Sequence, residues 1–161
     1  MRRLVDQHSP AIYALAFNML RRAEDAEDVT QDTFIRAWKT FPKWRPDAKL
    51  STWLHKVALN RCYDYLRKKK PVLFAEPPEQ HDPALRPDAS LSQRQRQAVV
   101  RDAIEKLAPR QRAALTLTSL MGHSNREAAA TMEITTDALD SLLARARRNL
   151  KKQLLPIKET L

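Results

Sequence analysis

SNREAAATMEITTDALDSLLARARR, residues 124–148, is the stretch on which the fold turns. Ser124 followed three residues later by Glu127 is a capping-box pattern, in which a hydroxyl and a carboxylate satisfy orphan backbone donors at a helix start. Ala128, Ala129 and Met132 then recur at helical spacing, so a short helix follows. Residues 133–136 read as a turn, after which Leu139, Leu143, Ala146 and Leu150 set the inward face of a longer helix. Two helices joined by so short a turn form a helix-turn-helix. On the second helix Ala138, Ser141, Arg145 and Arg148 fall at i, i+3, i+7 and i+10, one outward stripe. Small residues near its start permit close approach to base edges, and the arginines further along reach bases or phosphates.

The same helical period recurs upstream, and no segment holds a period of two. Val100, Ala103, Ile104 and Leu107 form one stripe; after Pro109, Ala114, Leu117, Leu120 and Met121 form the next. Near the N-terminus, Ser9-Pro10 reads as a helix start, followed by Ile12, Leu15, Ala16 and Met19 on one face. Ala26, Val29, Thr33, Ala37 and Phe41 mark a second helix, with Phe34 and Trp38 beside the stripe and a break at residues 42–46. Ser51 reads as the cap of a third, whose Leu54, Val57, Ala58, Cys62, Tyr65 and Leu66 share a face before the chain runs out at Lys68, Lys69, Lys70 and Pro71. Residues 71–95 hold five of the ten prolines, so this stretch reads as an extended tether. The expected architecture is all-α: helical domains at 1–72 and 96–161, a flexible Pro-rich linker at 73–95, and a helix-turn-helix in the second domain.

Composition narrows the function classes. The 161 residues carry 29 Lys and Arg against 19 Asp and Glu, a net charge of +10 that calls for an anionic partner. Gly122 is the only glycine, which excludes glycine-rich phosphate loops and nucleophile elbows. Cys62 is the only cysteine, so there is no internal disulfide framework and a reducing, cytoplasmic setting is expected. No apolar run is long enough to span a bilayer or to form a signal-peptide core. His8, His55, His81 and His123 are scattered, and no catalytic or metal cluster is visible; neither enzymatic activity nor a cofactor is expected. All ten Phe, Trp and Tyr residues lie at or before Phe74, so flat faces for stacking belong to the first domain. One face there runs against the overall charge. Asp25, Asp28 and Asp32 sit at i, i+3 and i+7, and no Lys or Arg occurs from Ala23 to Ile35. Such a face opposes nucleic acid and suits a basic protein surface.

Three ordered stretches carry a resemblance. Residues 26–38, AEDVTQDTFIRAW, are followed by Ser51-Thr52-Trp53-Leu54 with Asn60-Arg61 and Asp64-Tyr65-Leu66-Arg67. Then come Leu107-Ala108-Pro109-Arg110-Gln111-Arg112 and the helix-turn-helix. Together they resemble a bacterial RNA polymerase sigma factor of the extracytoplasmic-function (ECF) group, with region 2, a linker and region 4. The resemblance implies a promoter-specificity subunit whose partners are core RNA polymerase, through the β′ clamp helices and the β subunit, promoter DNA, and an anti-sigma factor, often membrane-anchored. It places polymerase contacts at Asp25, Asp28, Gln31, Asp32, Phe34 and Trp38. It places contacts to the melted −10 strand at Arg45, Lys49, Trp53, Lys56, Asn60 and Tyr63, because a base taken from the stack must be held by aromatic and cationic groups. For the −35 duplex it assigns Arg110 and Arg112 to phosphates, with Ala138, Ser141, Arg145 and Arg148 in the major groove. Asp140, Leu142 and Ala144 depart from the basic or bulky polar residues common there. Two other classes stay open: a decoy that sequesters an anti-sigma factor without transcribing, and a stand-alone helix-turn-helix repressor.

Overall fold

The computed structural model describes residues 2–40, 49–69 and 92–158. Phe41, Trp44, Arg45, Phe74, His81 and most of the expected linker lie outside the described residues. Among the described residues there are helices and no strands. Helix α1 (Arg2–Leu20), α2 (Ala23–Thr40) and α3 (Leu50–Lys69) pack pairwise into a three-helix domain. Helix α4 (Gln93–Glu105), α5 (Pro109–Leu115), a π turn (Thr116–Leu120), α6 (Asn125–Met132) and α7 (Thr136–Lys158) form the second, with α4, α5 and α6 all laid on α7.

The stripes place the core. Ile12, Leu15, Ala16 and Met19 of α1 are buried against Ala26, Val29, Thr33 and Ala37 of α2 and Leu54, Ala58, Cys62 and Leu66 of α3. Thr33 is tolerated there because its Oγ1 donates to the Val29 carbonyl at 2.7 Å. The α1–α2 corner forces Arg21 to a φ of +61°, and its guanidinium lies 5.4 Å from the centroid of the Phe17 ring, a cation–π contact that offsets part of the strain. In the second domain Leu139, Leu143 and Ala146 of α7 are buried as the helix-turn-helix pattern requires. Ser124 accepts from the Glu127 N–H at 3.1 Å, and Glu133 closes α6 in the left-handed region.

Several element boundaries differ from the sequence reading. Pro10 lies inside α1 and does not start it: it sits on an exposed face, where the carbonyl it leaves unpaired is open to water. Helix α3 begins one residue before Ser51; the Lys49 carbonyl accepts from the Trp53 N–H, so Lys49 occupies the cap position. The end of the expected linker is helical. Ser92 and Gln95 form a reciprocal capping box that starts α4. Val100 on α4 is exposed, as is Leu120. For Leu120 the cause is the π turn, where the Met121 N–H reaches back to Thr116 and the wider turn rotates the stripe outward.

The buried residues of the two domains are not separate. Ala113, Ala114, Leu117, Ala128 and Ala129 join the α1–α3 core in one apolar cluster, and α3 packs on α6.

Candidate functional site

The acidic α2 ridge divides into structural and presented residues. Asp25 is buried and accepts from Lys69 Nζ at 2.6 Å, with Arg22 at 4.0 Å. It ties α2 to the end of α3 and does not offer a carboxylate to a partner, which corrects its expected role. Asp32 is half-buried and its Oδ2 faces Arg61 at 2.5 Å and Arg36 at 3.1 Å, so it holds α3 while showing one edge. Asp28 and Gln31 are exposed. Beside them Trp38 is 63% exposed and Ile35 50% exposed, large apolar side chains that a lone domain would bury. They border a groove of about 1050 Å³ between α1 and α2, floored by Val5, Tyr13 and Phe34 and rimmed by Asp28 and Gln31. Ile35, Val5 and Tyr13 were absent from the expected set. The sequence signal for Ile35 was its position, one residue from Phe34 and therefore off the buried stripe.

The α3 set lies along one side of that helix. Lys49 and Asn60 are exposed, while Trp53 is half-buried and packs on the core. Lys56 is ion-paired with Glu133 of the second domain. Tyr63 is half-buried; burial pushes its hydroxyl above the ordinary range, against the opposing pull of the nearby Arg110 cation.

The α7 stripe is open. Ser141, Arg145 and Arg148 are exposed and Ala138 is half-buried at the start of the row. Two of the three departures have structural accounts. Leu142 packs against the core, and Asp140 Oδ1 accepts from Asn125 Nδ2 of α6 at 3.0 Å. Arg110 is exposed. Arg112 is not: it is 1% exposed, and its guanidinium donates to the carbonyls of Met19 at 2.6 Å, Leu107 at 3.3 Å and Glu105. The phosphate role expected of Arg112 is thereby corrected. Apolar neighbours on both sides lead it to satisfy backbone acceptors, and desolvation lowers its pKa.

The histidines also meet. His55 is buried, its Nδ1–H donates to the Ser51 carbonyl at 2.6 Å, and its ring stands edge-on to His123 at 5.0 Å between centroids. Residues scattered along the chain are thus brought together across the two domains. Cys62 is buried and its thiol is pushed up by desolvation, which makes it an inert core residue.

Comparison with known proteins adds the lineage of these surfaces. Residues 4–72 match the family model for sigma-70 region 2, and residues 97–150 match that for sigma-70 region 4. The ECF RNA polymerase sigma factor SigE of Mycolicibacterium smegmatis is 31% identical over 155 residues, covering 94% of this chain and 60% of that protein. The RNA polymerase sigma-H factor of Pseudomonas aeruginosa is 30% identical over 165 residues, covering 96% of this chain and 86% of that protein. The chain spans 60% of SigE and 45% of the SigG of Mycobacterium tuberculosis, between half and two thirds of the first and less than half of the second. Among solved structures, CnrH in complex with the cytosolic domain of CnrY superposes with a TM-score of 0.71 at 28% identity, over 94% of this chain and 85% of that one. RpoE in complex with the anti-sigma factor NepR from Bartonella quintana gives 0.69 at 25% identity, over 95% of both chains.

Proposed function

The chain belongs to the sigma-70 family, in its extracytoplasmic-function group, and from that premise we propose that it binds core RNA polymerase and directs it to specific promoters. One observation carries the reading. A molecule of net +10 keeps an acidic and aromatic ridge, Asp28, Gln31, Ile35 and Trp38, in solvent, while its exposed arginines line a separate helix. The two surfaces differ in charge because they meet different partners. The α1–α2 groove takes the basic clamp helices of the polymerase, with Asp28 and Gln31 at the rim and Phe34 and Trp38 as apolar anchors. Helix α7 lies in the −35 major groove, with Ser141, Arg145 and Arg148 toward the duplex and Arg110 on a flanking phosphate. On α3, Lys49, Lys56, Asn60, Trp53 and Tyr63 hold the displaced −10 strand, which offsets the few kcal/mol that unstacking costs. Phosphodiester chemistry stays with the polymerase; this chain supplies the choice of start site. No described helix is long and apolar enough to cross a membrane.

A protein inhibitor is the second expected partner. Two solved relatives are complexes with a second protein, one of them named as an anti-sigma factor, and both superpose along nearly the whole of this chain. By that likeness an anti-sigma factor holds this chain inactive until a signal releases it.

Run-off transcription with purified core polymerase on fragments of the source genome tests the reading. Discrete transcripts are expected only when the chain is added. Absence of transcripts with tight binding of an inhibitor would replace it with the decoy. Tight, polymerase-independent binding to duplex DNA would replace it with the repressor.

A further inference from the structure

Helix α7 carries a carboxylate beside its outward row. Asp140 directly precedes Ser141 of that row, and Asp137 and Ala144, three and four residues away, stand on the same edge of the helix. All three are exposed. The two carboxylates differ in what accounts for them. Asp137 lies in the first turn of α7, where the partial positive charge of unpaired N–H groups favours an anion. That effect fades within one turn, and Asp140 lies beyond it. On a surface that meets duplex DNA an exposed anion weakens binding, because the phosphates repel it. It is tolerated there when it meets a donor.

The surroundings of Asp140 hold its carboxylate without neutralising it. Asn125 Nδ2, at the first residue of α6, donates to Asp140 Oδ1 at 3.0 Å. The partner is a neutral amide from the other helix of the helix-turn-helix, 15 residues away in sequence. It fixes the side chain and leaves the charge in place. Among the described residues no Lys or Arg is ion-paired with Asp140, and its second oxygen, Oδ2, takes no hydrogen bond. Ala144, one turn further on, has no side chain long enough to cover it. A charged acceptor, already oriented and open to solvent beside a base-reading row, forms a charge-assisted hydrogen bond with whatever donor the groove brings to it.

We propose that Asp140 is a base-reading residue that selects a cytosine in the −35 element. This rests on the placement of α7 in the −35 major groove proposed above. The chemistry of the groove leaves one base. Guanine offers the N7 and O6 acceptors and thymine the O4 acceptor, and a carboxylate is repelled by all three. Adenine offers a donor at N6 but sets the N7 acceptor beside it, so the side chain suited to adenine is an amide, which donates and accepts at once. Cytosine offers its N4 donor and no acceptor on that edge. Asp140 Oδ2 accepts from N4 while Oδ1 stays on Asn125. Asn125 acts through the carboxylate it holds and is a positioning residue. The contact also explains why this edge of α7 is not basic: a group that refuses three bases gives sequence preference at some loss of overall affinity.

The test is a selection from promoter duplexes randomised across the −35 element, made by the holoenzyme of the full chain and core polymerase. One position is expected at which cytosine on one strand is enriched about tenfold over each other base. Asp140→Ala should abolish that preference and leave those at the other positions unchanged. Asp140→Asn should move it from cytosine to adenine, a change of base that a residue serving only to tie α6 to α7 would not give. Asn125→Ala should reduce the cytosine preference about threefold, the scale of one lost hydrogen bond, and leave its position in the element the same. All three substitutions are at exposed sites, and circular dichroism confirms that the variants are folded. An unchanged profile for Asp140→Ala would make the residue a helix tie and overturn the proposal. A uniform gain in affinity across all sequences would make it a repelling charge alone and overturn it equally. Enrichment of no −35 sequence by the unsubstituted holoenzyme would sink the promoter-directing function and this reading with it, whereas base preferences that ignore Asp140 sink this reading alone.

Discussion

Trp38 and Arg112 show how much a residue's surroundings decide its role. Both belong to motif stretches, yet one is 63% exposed and the other 1%. On the proposed function, a tryptophan held in solvent beside Ile35 is the apolar anchor for the polymerase. Trp38→Ala should therefore leave stability within about 0.5 kcal/mol while weakening core polymerase binding about thirtyfold, the scale of an interface hot spot. Calorimetric melting and a polymerase titration measure the two sides; a lowered Tm with unchanged affinity would make Trp38 a packing residue. Arg112 predicts the reverse pattern. Arg112→Met leaves acceptors at Met19, Leu107 and Glu105 buried without their donor, at about 3 kcal/mol of stability. A denaturant titration reads that loss, and a near-neutral result would show that water replaces the guanidinium. The motif Leu107 to Arg112 told where these residues fall in the chain. It did not tell that one arginine faces out and the next in, because that depends on the burial of α5 against both α1 and α7.

The elements were legible where one face meets one neighbour. Helix α7 is buried on Leu139, Leu143 and Ala146 and polar elsewhere, so its periodicity specified both its core side and its outward arginines. Helix α3 was legible by half. Its Leu54, Ala58, Cys62 and Leu66 stripe was readable, but His55 and Leu59 are also buried. A second buried face made of a histidine and a leucine among polar residues gives no clean period. Helix α4 was misplaced at its start because proline and charge drew the linker through residues 93–95, and the Ser92–Gln95 capping box went unread. Ser92→Ala should cost about 1 kcal/mol, seen as lost amide-exchange protection in α4 with α7 unaffected. An unchanged α4 would mean that packing on α7, not the cap, fixes its first turn. On α7, Arg145→Ala should weaken promoter binding by the holoenzyme and reduce its salt dependence by about one counterion if Arg145 contacts a phosphate. A change in base preference with the salt slope intact would place it on a base edge.

At the scale of the whole molecule, the two domains share one apolar cluster, and the contact between them carries a pH dependence. His55 is pulled below its ordinary value of 6.5 chiefly by burial, with a smaller push from the His123 and His8 charges, against the opposing Ser51 carbonyl bond. The groups facing this ring pair are His8 from α1, Lys49 and Lys56 from α3, and Glu127 and Glu133 from the second domain. The lysines and His8 disfavour a proton here, and Glu127 alone lines the same cavity as a carboxylate. Parting the domains would take the His123 ring away from His55, so a chain with its domains parted binds the proton more readily than one with them packed. The linkage then has one sign: the contribution of His55 to domain packing is fully present above the ordinary histidine pKa and is lost as pH falls below about 6.5 toward the depressed value. The distance between spin labels at Lys68→Cys and Arg101→Cys, both exposed and on different domains, should lengthen on going from about pH 8 to about pH 5.5, and His123→Gln should flatten that response. A separation that is the same at both ends of this range would show that the packing of the domains is held by its apolar contacts and by Arg112 without a part for His55.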